Sequence, residues 1–196
     1  NEERVKLYSY IKKQIDLGRQ AFVVCPVIEE SEAIYTKSAE QMEVQLSKVF
    51  AGYTVKLVHG RMDSAQRDEV MECFRKGLLQ ILIGTTVVEV GINVPNANVM
   101  VVEGMERFGL SQLHQLRGRI CRSSHDAYCF LLSDSFGIEA KNRAKAMCET
   151  NDGFKIAEID LKIRGPGEFY GIKQHGMLEF KVGDIKEDYK ILAASR

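Results

Sequence analysis

Apolar residues arrive in short dense runs, separated by stretches in which they recur every three or four positions. Ala21–Val27, Thr54–Val58, Gln80–Ile83, Asn98–Val102 and Ala127–Leu132 are runs of strand length, and near-continuous apolar runs are how strands buried on both faces read. Between the first two, Ala39, Met42, Leu46, Val49 and Phe50 fall at helical spacing behind Ser31, a residue type suited to start a helix. After the second, Asp63-Ser64-Ala65-Gln66 opens a helix that runs toward Gly77, with Asp63 as cap and Gln66 placed to reach back. Strands alternating with helices predict an α/β fold on a parallel sheet.

The alternation stops around Ser133–Phe136. Helical spacing then covers Gly137–Thr150 and Phe154–Ile163, before Arg164-Gly165-Pro166-Gly167-Glu168-Phe169-Tyr170-Gly171, where glycines and proline enforce tight turns. The chain thus divides into a sheet domain over residues 1–134 and a smaller helical and loop appendage over 135–196. It starts Asn1-Glu2-Glu3-Arg4, without an initiator methionine, which is compatible with a longer parent.

Composition narrows the setting. With 196 residues, 45% of them hydrophobic, the chain can build one well-cored domain with residues to spare. Lys+Arg and Asp+Glu both total 27, so no bulk field favours a polyanion and any nucleic-acid contact must come from placed residues. The 5 cysteines include no C-x-x-C pair, which argues against a zinc site or a disulfide framework and for a reducing, cytoplasmic setting. No apolar run nears the ~20 residues of a membrane span.

The densest candidate chemistry lies in Gly109–Arg122. Leu110, Leu113, Leu116 and Ile120 mark the apolar face of a helix, and Gln112, Gln115, Arg119 and Arg122 form a stripe on the polar side. Two guanidiniums a turn apart can address one polyphosphate and stabilise charge building on its oxygens. A solvated basic helix face has the same spacing, so the pattern alone leaves both readings open.

The local text decides more. Gln115-Leu116-Arg117-Gly118-Arg119-Ile120-Cys121-Arg122 resembles the sixth motif of superfamily-two helicases, Gly84-Thr85-Thr86-Val87-Val88-Glu89-Val90-Gly91-Ile92-Asn93 the fifth, and His59-Gly60-Arg61-Met62 with Gln66-Arg67 the fourth. Pro26-Val27-Ile28-Glu29-Glu30-Ser31-Glu32, Asn151-Asp152-Gly153-Phe154 and the tail from Asp160 through Gln174-His175-Gly176 are similar to segments of the RecG helicases. The transcription-repair coupling factor Mfd shares the tail motif and is the second choice.

The resemblance implies a RecA-like second helicase domain with an appended translocation motif. In that family Arg119 and Arg122 would contact the γ-phosphate of ATP, Arg122 foremost as the finger, with Gln115 sensing the nucleotide and Gly91 and Asn93 bordering it. His59, Gly60, Arg61, Thr85 and Thr86 would touch the DNA backbone, and Arg164 and Gln174 would couple nucleotide-driven movement to DNA displacement. Relatives often carry aspartate at position 93 and glycine at position 121, where this chain has Asn93 and Cys121. No G-x-x-x-x-G-K-[ST] loop occurs, so ATP with Mg²⁺ would be held mainly by a separate N-terminal motor domain, and branched double-stranded DNA would be recognised with a wedge domain of the same protein. The alternative is a stand-alone RecA-like module that binds nucleic acid or protein without ATPase activity. Gly165-x-Gly167-x-x-x-Gly171 imitates a dinucleotide fingerprint but follows a helical pattern, and Cys121 with His125 lacks a third metal ligand.

Overall fold

A computed structural model describes residues 2–26, 32–85, 94, 96–120, 126–135 and 137–164, with the backbone alone for 32–38 and 164. Five strands, β1 (Gln20–Cys25), β2 (Val55–Val58), β3 (Ile81–Thr85), β4 (Ala97–Val102) and β5 (Tyr128–Leu131), form one sheet in the order β2-β3-β1-β4-β5. Every pairing is parallel, as the alternating pattern requires. The expected strands are all present, with ends displaced by a few residues; Val27 and Ser31 lie outside the described residues.

Among the described residues six α-helices accompany the sheet: α1 (Glu2–Asp16), α2 (Glu32–Val49), α3 (Ser64–Arg75), α4 (Leu110–Ile120), α5 (Ile138–Glu149) and α6 (Gly153–Arg164). Side-chain alternation along the strands creates two cores. Ala21, Val23, Ile81, Ile83, Val99 and Val101 meet Leu7, Ile11 and Ile15 of α1 and Ala39 and Leu46 of α2. On the other face Phe22, Val24, Leu82, Met100 and Val102 meet Met71 and Phe74 of α3 and the four apolar residues of α4. Ala146 and Met147 of α5 and Ile156 of α6 belong to that second core, so both helices of the appendage pack onto the same layer as α4.

Polar side chains tie the sheet's N-terminal edge. Gln20, 2% exposed, donates from Nε2 to the carbonyls of Phe74 and Leu79, each at 2.6 Å. The register of β1 on β4 shifts between Gln20 and Ala21. Asn98, the residue passed over there, donates to Gln14 Oε1 at 2.8 Å. Asp63 occupies the N-cap position of α3 but makes no side-chain cap bond, and Gln66 is exposed. The first turn is closed by the backbone instead, Arg67 N donating to Asp63 O at 3.0 Å. Among the described residues no helix is long and apolar enough to cross a membrane.

Candidate functional site

Because all strands are parallel, their C-terminal ends share one edge. The chain leaves β1 toward α2 on one face, and leaves its neighbour β4 toward α4 on the other. Adjacent strands whose connections diverge in this way open a crevice, the usual ligand position in an open α/β sheet.

Two groups of the expected site residues are brought together. Val58 of β2 pairs with Gly84 of β3, so His59, Gly60 and Arg61 emerge beside Thr85. The His59 turn is tight: Met62 N donates to His59 O at 3.2 Å, and Arg61 N donates to His59 Nδ1 at 3.3 Å. Gly60 and Arg61 are exposed. Thr85 is 3% exposed, and its hydroxyl has no hydrogen-bond partner among the described residues. Its side chain is turned into the fold and away from solvent.

The second group lies on α4. Leu110, Leu113, Leu116 and Ile120 are all buried, which turns Gln115 to solvent and leaves Arg119 half-buried. Arg119 Nε is buried, and no group among the described residues pairs with it. Gln112, exposed on the same polar side, accepts from Gly109 N through Oε1 at 3.0 Å and so closes the start of its own helix. Thr86, Gly91, Asn93, Arg122 and Gln174 lie outside the described residues, as does the side chain of Arg164.

Residues that sequence reasoning passed over hold α4 in place. Asp160 of α6 accepts from Leu110 N at 3.3 Å, putting a carboxylate at the helix's positive end. Arg117 donates to the carbonyls of Met147 at 2.6 Å and Thr150 at 3.1 Å, closing the end of α5. Arg143 of α5 donates to Glu106 O at 2.5 Å in the segment leading into α4. Nothing in the sequence signals these contacts, because each joins positions at least thirty apart. At the end of β4, Glu103 receives both terminal nitrogens of Arg4 at 2.8 Å.

Among the described residues no three His, Cys, Asp or Glu side chains cluster as a metal set. The chemistry available is that of fixed cations and amide donors, suited to a phosphate-rich ligand.

Comparison with known proteins fits this arrangement. The family described as helicase conserved C-terminal domain matches residues 4–124, and the family described as ATP-dependent DNA helicase RecG, domain 3, C-terminal, matches residues 150–196. The ATP-dependent DNA helicase RecG of Thermotoga maritima is 51% identical over 97% of this chain, and that of Bacillus subtilis 47% identical over 97%. The chain spans about a quarter of these relatives, 25% and 28% of their lengths. A solved structure of RecG bound to a three-way DNA junction matches with a TM-score of 0.72 at 47% identity, covering 97% of this chain and 24% of that one. The chain therefore belongs to the helicase conserved C-terminal domain family and, tail included, to its RecG members.

Proposed function

We propose that this chain is the second half of an ATP-driven motor that translocates on double-stranded DNA and remodels branched structures such as stalled forks and recombination junctions. The observation that carries this reading is Arg119, a guanidinium half-buried on a fixed helix without a partner among the described residues. A permanent cation taken partly out of water and left unpaired is costly unless an anion arrives. The γ-phosphate of ATP, presented across a cleft by a separate N-terminal motor domain, meets that requirement, with Arg122 as the principal finger and Gln115 beside it. Gly91 and Asn93 would border the nucleotide. Mg²⁺ would neutralise the phosphates from the other wall, since no acidic set stands here among the described residues.

His59, Gly60, Arg61, Thr85 and Thr86 would follow the DNA backbone, reading phosphates rather than bases. Arg164 and Gln174 would convert movement of the motor into displacement of DNA. A wedge domain elsewhere in the parent would supply junction recognition, and the cytoplasm is the compartment where such a substrate is found.

Alanine at Arg119 or Arg122 in the full-length protein tests the assignment. Turnover of ATP should fall by about a hundredfold or more, the scale expected for loss of a transition-state donor, while affinity for a three-way junction stays within a few-fold. Unchanged turnover in both variants would remove α4 from the chemistry.

A further inference from the structure

Glu103 follows β4 directly, at the mouth of the crevice. Its side chain is nearly withdrawn from water, 12% exposed against 37% for Arg4, which clasps it with both terminal nitrogens at 2.8 Å. Arg4 lies near the start of α1. That helix packs on the sheet face that also carries α2, whereas the chain beyond Glu103 crosses to the opposite face and enters α4. The pair therefore joins, over the C-terminal edge of the sheet, a helix of one layer to the segment that feeds a helix of the other.

The turn that Glu103 opens is closely defined. Glu103 N donates to Val24 O at 2.9 Å, and Met105 N to Leu132 O at 2.8 Å. Between them Gly104 takes a left-handed conformation at φ +60°, where a Cβ would also stand 3.1 Å from Pro26 Cγ, so glycine is the residue that fits. Arg107 N returns to Gly104 O at 2.9 Å, and Met105, Phe108 and Leu110 are buried beyond it. These bonds fix where the turn starts, and the Glu103 carboxylate adds a tie to α1.

Stability alone is a weak reason for such a pair. A buried ion pair is often no more stabilising than an apolar replacement of the same size. A guanidinium fork, however, holds a carboxylate in one plane and one direction, which an apolar contact does not. Next along the chain from that fixed carboxylate is α4, with Arg119. We infer that Glu103 is a positioning residue for ATP hydrolysis: through its fork with Arg4 it ties α1 to the turn ahead of α4 and so sets where Arg119 meets the phosphate. That role rests on the assignment of Arg119 to ATP made above.

Arg4→Lys keeps the charge and loses the fork, while Glu103→Gln keeps the shape and loses the charge. In the full-length protein, well below its melting temperature, each should lower kcat for junction-stimulated ATP hydrolysis about tenfold, with KM for ATP within about twofold. A pair that only holds the fold together would shift the urea midpoint and leave kcat untouched. The same substitutions are then made beside Arg119→Ala. Residues that act through one group are not additive, so Arg4→Lys and Glu103→Gln should cause no further loss there. Full kcat in the two single variants, or a loss that persists undiminished beside Arg119→Ala, would overturn the positioning role. Unchanged turnover in both Arg119→Ala and Arg122→Ala would instead remove the assignment to ATP, and the positioning role with it.

Discussion

At the scale of single residues, the sheet edge depends on a few polar and sulfur atoms held away from water. Arg4 and Glu103 form a fork-to-fork pair at 2.8 Å, and the carboxylate raises the arginine's already high pKa further. The Arg4 side chain keeps 37% of its surface in solvent against 12% for Glu103, so screening discounts the attraction. Removing the cation also strands a largely buried carboxylate. Arg4→Ala should therefore cost about 1–2 kcal/mol in urea unfolding, between the values for exposed and buried pairs; a loss of only a few tenths would show the pair to be ornamental. Cys25 makes a different kind of statement. Burial, reinforced by the charge of Glu103, pushes its thiol up to about 12, against ~8.5 in an unfolded chain. With the folded value above the unfolded one, the neutral thiol's contribution is fully present below about pH 8.5 and is lost as pH rises toward 12. At pH 8 iodoacetamide should label the exposed Cys148 at once and Cys25 only as fast as the fold opens. Equal labelling rates, read by intact mass, would contradict the buried placement.

At the scale of elements, α4 shows what a linear text reveals and what it conceals. Its apolar face was legible because Leu110, Leu113, Leu116 and Ile120 obey one period, and the five strands were legible because strands buried on both faces exclude polar residues. Helix α1 was not read, since its three buried residues Leu7, Ile11 and Ile15 are spread through a stretch dominated by charge. The bond that Gln112 makes to Gly109 N was not legible for another reason: a glutamine two residues into a helix can turn back to the preceding amide, and spacing cannot say which way it turns. Contacts that clamp α4 to α5 and α6 were wholly illegible, because Asp160 and Arg117 act on backbone atoms, which carry no residue identity. Asp160→Ala removes a cap from α4 and should destabilise the domain by about 1 kcal/mol or more, while Asp160→Asn keeps an acceptor for Leu110 N and should cost less. Equal losses in thermal or urea melts would assign the whole effect to charge. On the family assignment the same helices lead into Gln174, and Gln174→Ala in the full-length protein should preserve ATP turnover while fork unwinding falls at least tenfold. Parallel loss of both activities would deny a coupling role.

At the scale of the whole molecule, the distribution of parts is lopsided. The strand order β2-β3-β1-β4-β5 supplies a crevice and two groups of candidate contacts, one on neighbouring strand ends and one on α4. Yet the 196 residues contain no G-x-x-x-x-G-K-[ST] loop, and phosphoryl transfer depends on cradling the phosphates and neutralising them with a metal as much as on any finger. A wall that stabilises only the transition state binds substrate weakly and turns nothing over by itself. The purified chain should accordingly hydrolyse ATP no faster than buffer, with or without a three-way junction. Adding the N-terminal part of the parent as a separate polypeptide should restore junction-stimulated hydrolysis, and the restored rate should saturate with concentration because the two walls must first associate. Arg122→Ala in this chain should abolish the restoration while leaving the association itself measurable, which separates a failed finger from a failed interface. Turnover by the purified chain alone would reveal a complete nucleotide site within these residues, and silence despite demonstrated association would favour a binding module that keeps the fold of a motor without its chemistry.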